Sequence, residues 1–96
     1  MKTLVIDDLR VFHYADKHAR TFWDGLSALQ EEKWELLLLD HDLASFDADG
    51  KEFTGYDILC YLEENPQYLP DKILLVTSNP SGRERMQKLI YRLYER

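Results

Sequence analysis

The sequence carries a single cysteine, Cys60, among its 96 residues. An intramolecular disulfide is therefore impossible, and a reducing compartment is expected. Cys60 lies among Ile58, Leu59 and Leu62 with no cationic neighbour in sequence, so it reads as a small buried apolar residue and not as a nucleophile. Long apolar runs are also missing: nothing approaches the roughly 18 consecutive apolar residues that cross a bilayer. The chain does not open with a basic segment followed by an apolar one, so a secretory leader is not expected and a cytoplasmic location is. Positive charge is in deficit, with 12 Lys and Arg against 18 Asp and Glu, a net charge of −6. That balance argues against an extended grip on nucleic-acid backbone while leaving room for a small basic patch. Internal repeats, low-complexity tracts and linker-like stretches are absent as well, and the length suits one domain over residues 1–96.

What is present is organised around Leu36-Leu37-Leu38-Leu39-Asp40-His41-Asp42-Leu43. A short continuous apolar run reads as a strand buried on both faces, as in a parallel sheet covered by helices. The ionisable triplet then falls at the strand's carboxyl end, where open α/β sheets bind ligands. Three such groups have no packing value and are costly to desolvate unpaired, so they mark the centre of a site.

The rest of the chain repeats that grammar. Thr3-Leu4-Val5-Ile6 reads as a first strand ending in Asp7 and Asp8. Val11, Phe12 and Ala15 share a helical face, which predicts a short helix between Leu9 and Lys17. His18 to Thr21 reads as a short edge strand. Thr21 caps a helix from Phe22 to about Glu32 with an apolar stripe of Phe22, Leu26 and Leu29. The third strand is the leucine run. Ala44 to Phe53 reads as a polar surface loop with a turn at Asp49-Gly50. A calcium loop is rejected there, because aligning Gly50 with the turn glycine places Ser45 and Tyr56 at ligand positions. Thr54 opens a third helix carrying Ile58, Leu59 and Leu62, stopped at Asn65-Pro66. Lys72 to Val76 forms a fourth strand that ends in Thr77-Ser78-Asn79-Pro80. Ser81 and Glu84 read as a capping box for a last helix with Met86, Leu89, Ile90 and Leu93 inward. Strands alternating with helices give an α/β fold, a three-layer sandwich whose four-stranded parallel sheet has the order 2-1-3-4.

In such a sheet the three acidic or polar strand ends share one edge. Carboxylates crowded there repel by on the order of 4 kcal/mol per pair at about 4 Å, which a divalent cation or protonation relieves. Asp7, Asp8 and Asp40 are the candidate metal ligands, and an all-oxygen set favours Mg²⁺ or Mn²⁺. The start of the last helix offers amide N–H groups and a positive dipole end beside Gly82 and Arg83, so that a phosphate is the expected anion. Arg83 is expected to clamp an oxyanion bidentately. His41 suits general acid–base work. Arg85, Lys88, Arg92 and Arg96 form a basic stripe that reads first as a solvated helix face, with contact to a nucleic-acid end as the sharper alternative.

These residues resemble a receiver domain: Asp7 and Asp8 resemble its acidic metal-binding pair, Asp40 its phosphoacceptor, and Thr77 its phosphate-contacting hydroxyl residue. Receivers of two-component signalling continue into a fifth strand ending in an essential lysine, and this sequence stops after the fourth strand and its helix. Lys72 lies at the wrong end of its strand to substitute. Leu39-Asp40-His41-Asp42-Leu43, Thr54-Gly55-Tyr56-Asp57 and Ser78-Asn79-Pro80-Ser81-Gly82-Arg83 with Met86 look more like the cyclic-phosphate-processing receiver domains. The resemblance implies a receiver/flavodoxin-like fold lacking the fifth strand and a metal-dependent phosphodiesterase. Its substrate would be a cyclic nucleotide or an RNA end bearing a 2′,3′-cyclic phosphate. In that reading Asp40, His41, Asp42 and Arg83 are catalytic, while Thr77, Ser78, Asn79, Gly82 and Arg83 bind phosphate. The alternative is a non-catalytic module that binds a phosphorylated ligand or a protein, and a conventional phospho-acceptor is a third possibility. An open fourth strand also raises the expectation of a homodimer using that edge with Tyr91 or Tyr94.

Overall fold

A computed structural model describes residues 1–95, so Arg96 of the basic stripe lies outside the described residues. Four parallel strands form the main sheet: β1 (Thr3–Ile6), β2 (Lys17–Ala19), β3 (Leu36–Leu39) and β6 (Lys72–Leu75). Their order, β2-β1-β3-β6, is the expected 2-1-3-4 topology of a receiver/flavodoxin-like α/β fold. Three helices flank the sheet: α1 (Phe22–Glu31), α2 (Gly55–Glu64) and α3 (Pro80–Tyr94). A short antiparallel pair, β4 (Ser45–Phe46) and β5 (Glu52–Phe53), lies between β3 and α2.

Strand alternation decides the core. Leu4, Ile6, Leu37, Leu39 and Ile73 point into one cluster with Phe22, Ala28 and Leu29 of α1, Ile58, Leu59 and Leu62 of α2, and Met86, Leu89, Ile90 and Leu93 of α3. Each such side chain removed from water contributes about 1.5–3 kcal/mol. Val5 and Leu38 project to the opposite face and are buried there too, which is why β1 and β3 read as continuous apolar runs. Trp34 is buried with its polar edge satisfied, since Nε1 donates to the Ala28 carbonyl at 2.8 Å.

Helix starts follow their side chains. Thr21 Oγ1 accepts the Asp24 N–H, and Thr54 with Asp57 forms a reciprocal capping box on α2. The cap of the last helix lies two residues before the expected Ser81. Asn79 Oδ1 accepts the Gly82 N–H at 3.0 Å, and Pro80 occupies the first helical position, where its missing N–H costs nothing. Ser81 donates its hydroxyl to Asn79 Oδ1, so the Ser81–Glu84 box does not form the cap.

Two further expectations change. The segment from Leu9 to Asp16 is irregular and Lys17 already belongs to β2. Asp7 Oδ1 takes the N–H groups of Leu9 and Arg10, while Asp16 is tied to Thr3 in both directions. Those bonds pull the segment away from a helical ladder, and Val11 stays 60% exposed. The surface loop after Asp42 also acquires the β4–β5 pair, closed at the expected Asp49-Gly50 turn, where the Gly50 N–H donates to the Asp47 carbonyl and Gly50 has φ 83°.

The register is flush. Thr3 pairs with Leu36 and Leu36 with Lys72, so Ile6, Leu39 and Leu75 end level. The next residues therefore emerge together on one edge. Among the described residues no helix is long and apolar enough to cross a membrane.

Candidate metal and phosphate site

At that edge the carboxylates of Asp7, Asp8 and Asp40 come together, each offering an oxygen within 4.8 Å of the others, a group that could hold a metal ion. Asp7 is fully buried and Asp40 is 6% exposed. Backbone bonds place them: the Asp40 N–H donates to the Ile6 carbonyl and the Asp7 N–H to that of Ala19.

The oxygens divide their work. One oxygen of Asp7 and one of Asp40 are spent on backbone N–H groups: Asp7 Oδ1 on Leu9 and Arg10, and Asp40 Oδ1 on His41 at 2.7 Å. The other oxygens face Arg10, whose Nη1 lies 2.9 Å from Asp7 Oδ2 and 3.2 Å from Asp40 Oδ2. Arg20 fixes this corner, its Nη1 donating to the carbonyls of Asp7 and Arg10. Burial pushes the Asp7 carboxyl upward, but the Arg10 and Leu9 amides and the Arg10 guanidinium outweigh it and hold the group below its ordinary range. For Asp40, burial wins. It raises the carboxyl above the usual value with help from the charge of Asp7, against hydrogen bonds from His41 and Thr77 and the charge of Arg10.

His41 joins this group from the β3 end. Its Nδ1 is 2.9 Å from Asp42 Oδ1 and 3.4 Å from Asn79 Nδ2. The shorter contact favours an Nδ1–H donated to Asp42, which leaves Nε2 as the ring nitrogen not engaged by that carboxylate. The ring rests on the start of α3: a Cβ on Gly82 would stand 2.6 Å from His41 Cδ2. The start of α2 fits as closely, because a Cβ on Gly55 would meet the Asp40 carbonyl oxygen at 2.0 Å. Glycine is therefore required at both helix starts by close approach.

Thr77 is buried, bonds to Asp40 and accepts the Asn79 N–H at 3.1 Å. Ser78 is exposed on the same turn. Arg83, expected as an oxyanion clamp, directs Nη2 to the carbonyls of Leu75 at 3.1 Å and Thr77 at 3.4 Å. The reason is the sheet edge. β6 turns the N–H groups of Lys72 and Val76 toward β3, so the alternate backbone groups of Leu75 and Thr77 face outward. Arg83 covers those outward carbonyls.

Sequence reasoning missed Arg10, Arg20 and the capping role of Asn79. A cation three residues after a strand-terminal acid, as in Asp7-Asp8-Leu9-Arg10, was the available signal for the first. Cys60 is half-buried, and burial followed by the charges of Asp57 and Glu63 pushes its thiol up, away from nucleophilic character. The basic stripe is locally engaged: Arg92 pairs with Glu63, Lys88 with Glu84, and Arg85 stacks over Tyr56 at 4.3 Å. A shallow groove of about 410 Å³ runs along α3, lined by Pro80, Arg83, Glu84, Gln87, Lys88 and Tyr91, and includes none of the carboxylates. The Tyr94 hydroxyl donates to the Pro70 carbonyl, and burial, then the charge of Asp71, pushes it up to about 12.

No curated protein and no solved structure gives a significant match to the sequence. The model of one family, described as the cyclic-phosphate processing receiver domain, matches residues 2–92. With flush strands, a shared acidic edge and nearly its whole length matched, the chain belongs to the cyclic-phosphate processing receiver domains.

Proposed function

We propose that this chain is a metal-dependent phosphodiesterase that hydrolyses a cyclic phosphate, either on a nucleotide or at a 2′,3′-cyclic RNA end. The observation that carries the reading is one juxtaposition. Three carboxylate oxygens within 4.8 Å share an edge with a histidine held against the start of α3. The donor set fits a hard cation, since it is all oxygen, largely buried and already drawing in the Arg10 guanidinium. Asp7, Asp8 and Asp40 would hold Mg²⁺ or Mn²⁺, and such an ion supplies Lewis acidity at a phosphoryl oxygen.

Hydrolysis adds water to phosphorus and breaks one P–O bond of the ring, and the departing alkoxide must take a proton. His41 would serve that transfer: with Nδ1–H held by Asp42, Nε2 would take the proton lost by the attacking water and return it to the departing alkoxide. Asp42 orients the ring. Thr77, Ser78, Asn79 and Gly82 form the turn that receives the non-bridging oxygens, and Arg83 supports that turn from the strand edge. A variant of the mechanism uses Asp40 as the nucleophile, with transient acyl phosphate formation. The net charge of −6 confines nucleic-acid contact to an end. A cytoplasmic location fits the lone thiol.

Incubation with 2′,3′- and 3′,5′-cyclic nucleotides and with RNA bearing a cyclic end, with and without Mg²⁺, tests the reading. The expected product is a phosphomonoester, formed only with the metal and lost in Asp40→Asn. Near-wild-type turnover by that variant overturns both mechanistic versions. One observation favours a second reading, a non-catalytic module: Arg10 already pairs with Asp7 and Asp40. Stoichiometric ligand binding without product would support it. Labelling of Asp40 by a small phosphodonor would point instead to a phospho-acceptor.

A further inference from the structure

The residues expected to grip the anion are engaged elsewhere. Arg83 lies on the outward carbonyls of β6, and Asn79 Oδ1 serves the Gly82 amide. Among the described residues one guanidinium contacts the carboxylates themselves, and it belongs to Arg10. Its position is specific: Nη1 contacts the two Oδ2 atoms left over after the backbone has claimed one oxygen of Asp7 and one of Asp40. A divalent cation entering between these carboxylates needs those same atoms. Arg10 and the cation therefore compete for one seat.

The way Arg10 is mounted allows exchange. Its carbonyl is held by Arg20 and its N–H by Asp7 Oδ1, so the backbone stays beside the site. The side chain is 41% exposed, so it can leave the carboxylates without unfolding the segment. A displaced guanidinium remains within a side chain's length of the seat. There a planar fork of N–H donors suits a phosphoryl group, which binds arginine bidentately.

We infer that Arg10 is an exchangeable occupant of the cation seat: metal entry displaces it from Asp7 and Asp40, and the released guanidinium becomes the clamp on the phosphate. The inference rests on the metal-dependent reading above and deepens it by naming the residue that recognises the anion. Two couplings follow. Without anion, Arg10 opposes metal binding. With anion, metal and phosphate favour one another, because the metal frees the guanidinium that the phosphate needs.

The test is a Mn²⁺ titration followed by electron paramagnetic resonance, with and without inorganic phosphate, on the wild type, Arg10→Gln and Arg10→Lys. Arg10→Gln is expected to bind Mn²⁺ roughly tenfold more tightly in the absence of phosphate, the scale of a charge-assisted hydrogen-bonded contact removed. Phosphate is expected to tighten Mn²⁺ binding several-fold in the wild type and not in Arg10→Gln. Arg10→Lys keeps a cation over the two buried carboxylates, which protects the fold, and is expected to lie between the two. Equal or weaker Mn²⁺ binding by Arg10→Gln, with the wild type binding, overturns the exchange and leaves the metal-dependent reading standing. Tighter binding that keeps the full phosphate effect overturns the clamp. Absence of Mn²⁺ binding in all three proteins overturns the metal-dependent reading itself.

Discussion

Replacing Asp40 by asparagine separates the stability of the fold from the demands of the site. Asp40 faces two carboxylates whose oxygens lie within 4.8 Å of its own, and one guanidinium nitrogen at 3.2 Å. At an effective dielectric near 20 each repulsion is worth about 3 kcal/mol and the attraction about 5 kcal/mol, so the repulsions prevail by about 1–2 kcal/mol. Burial acts in the same direction, which is why the Asp40 carboxyl sits above its ordinary range. Asparagine retains an oxygen for the His41 amide and removes the charge. Asp40→Asn is therefore expected to melt higher than the wild type in chelator, by roughly 4–8 °C for each kcal/mol gained in a domain of this size. In Mg²⁺ the order reverses. A wild type saturated at a hundredfold excess over Kd gains about 2.7 kcal/mol, whereas the variant has lost a ligand and gains little. Circular-dichroism melts at neutral pH, in chelator and in Mg²⁺, read both arms. Two results refute the reasoning: a variant that melts below the wild type in chelator, or one that gains as much from Mg²⁺.

The two buried carboxylates have opposite pH signatures. Asp7 is held below its ordinary range, so it stabilises the fold above its unfolded value, and that contribution disappears as pH falls through the lower folded value. Asp40 is raised, so its penalty is present above the folded value and is relieved as pH falls to the unfolded one. The loss of stability in Asp7→Asn should accordingly be greatest near neutrality and shrink in acid, as measured by denaturant titrations across the carboxylate range. Gly82→Ala drives a Cβ to 2.6 Å from His41 Cδ2, so overpacking of about 1–3 kcal/mol is expected together with loss of turnover, checked by paired melts and assays. The exposed Leu74 and Tyr91 leave an apolar surface beside β6 on which a second copy of the chain can pack even with Arg83 over the outer carbonyls, and light scattering over a concentration series is expected to show dimer. A monomer throughout would remove that expectation.

Much of the frame was legible because its signals were redundant. The leucine run, the β-branched first strand and Lys72 to Val76 each had one plausible role, and the flush register then delivered Asp7, Asp8 and Asp40 to one edge. The segment after Asp8 misled because Val11, Phe12 and Ala15 have helical spacing. Periodicity does not reveal that Asp7 will take the Leu9 and Arg10 amides for itself. Ser81 was expected to cap α3, but Pro80 fits the first helical position and makes Asn79 the cap. The destination of Arg83 could not be read from sequence at all. A long cation near a helix start can reach an anion or a bare carbonyl, and only the exposed side of β6 shows which is at hand.

Arg83 has a further consequence, for the order in which the molecule is made. It reaches the outer carbonyls of β6 from α3, which follows that strand in the chain. While the polypeptide is emerging, β6 can pair with β3 before the helix that shields it has formed. During that interval the edge is a bare template for another nascent chain, and the 15 residues of α3 close the vulnerable interval when they dock. The arginine thus links the docking of α3 to the protection of the sheet edge.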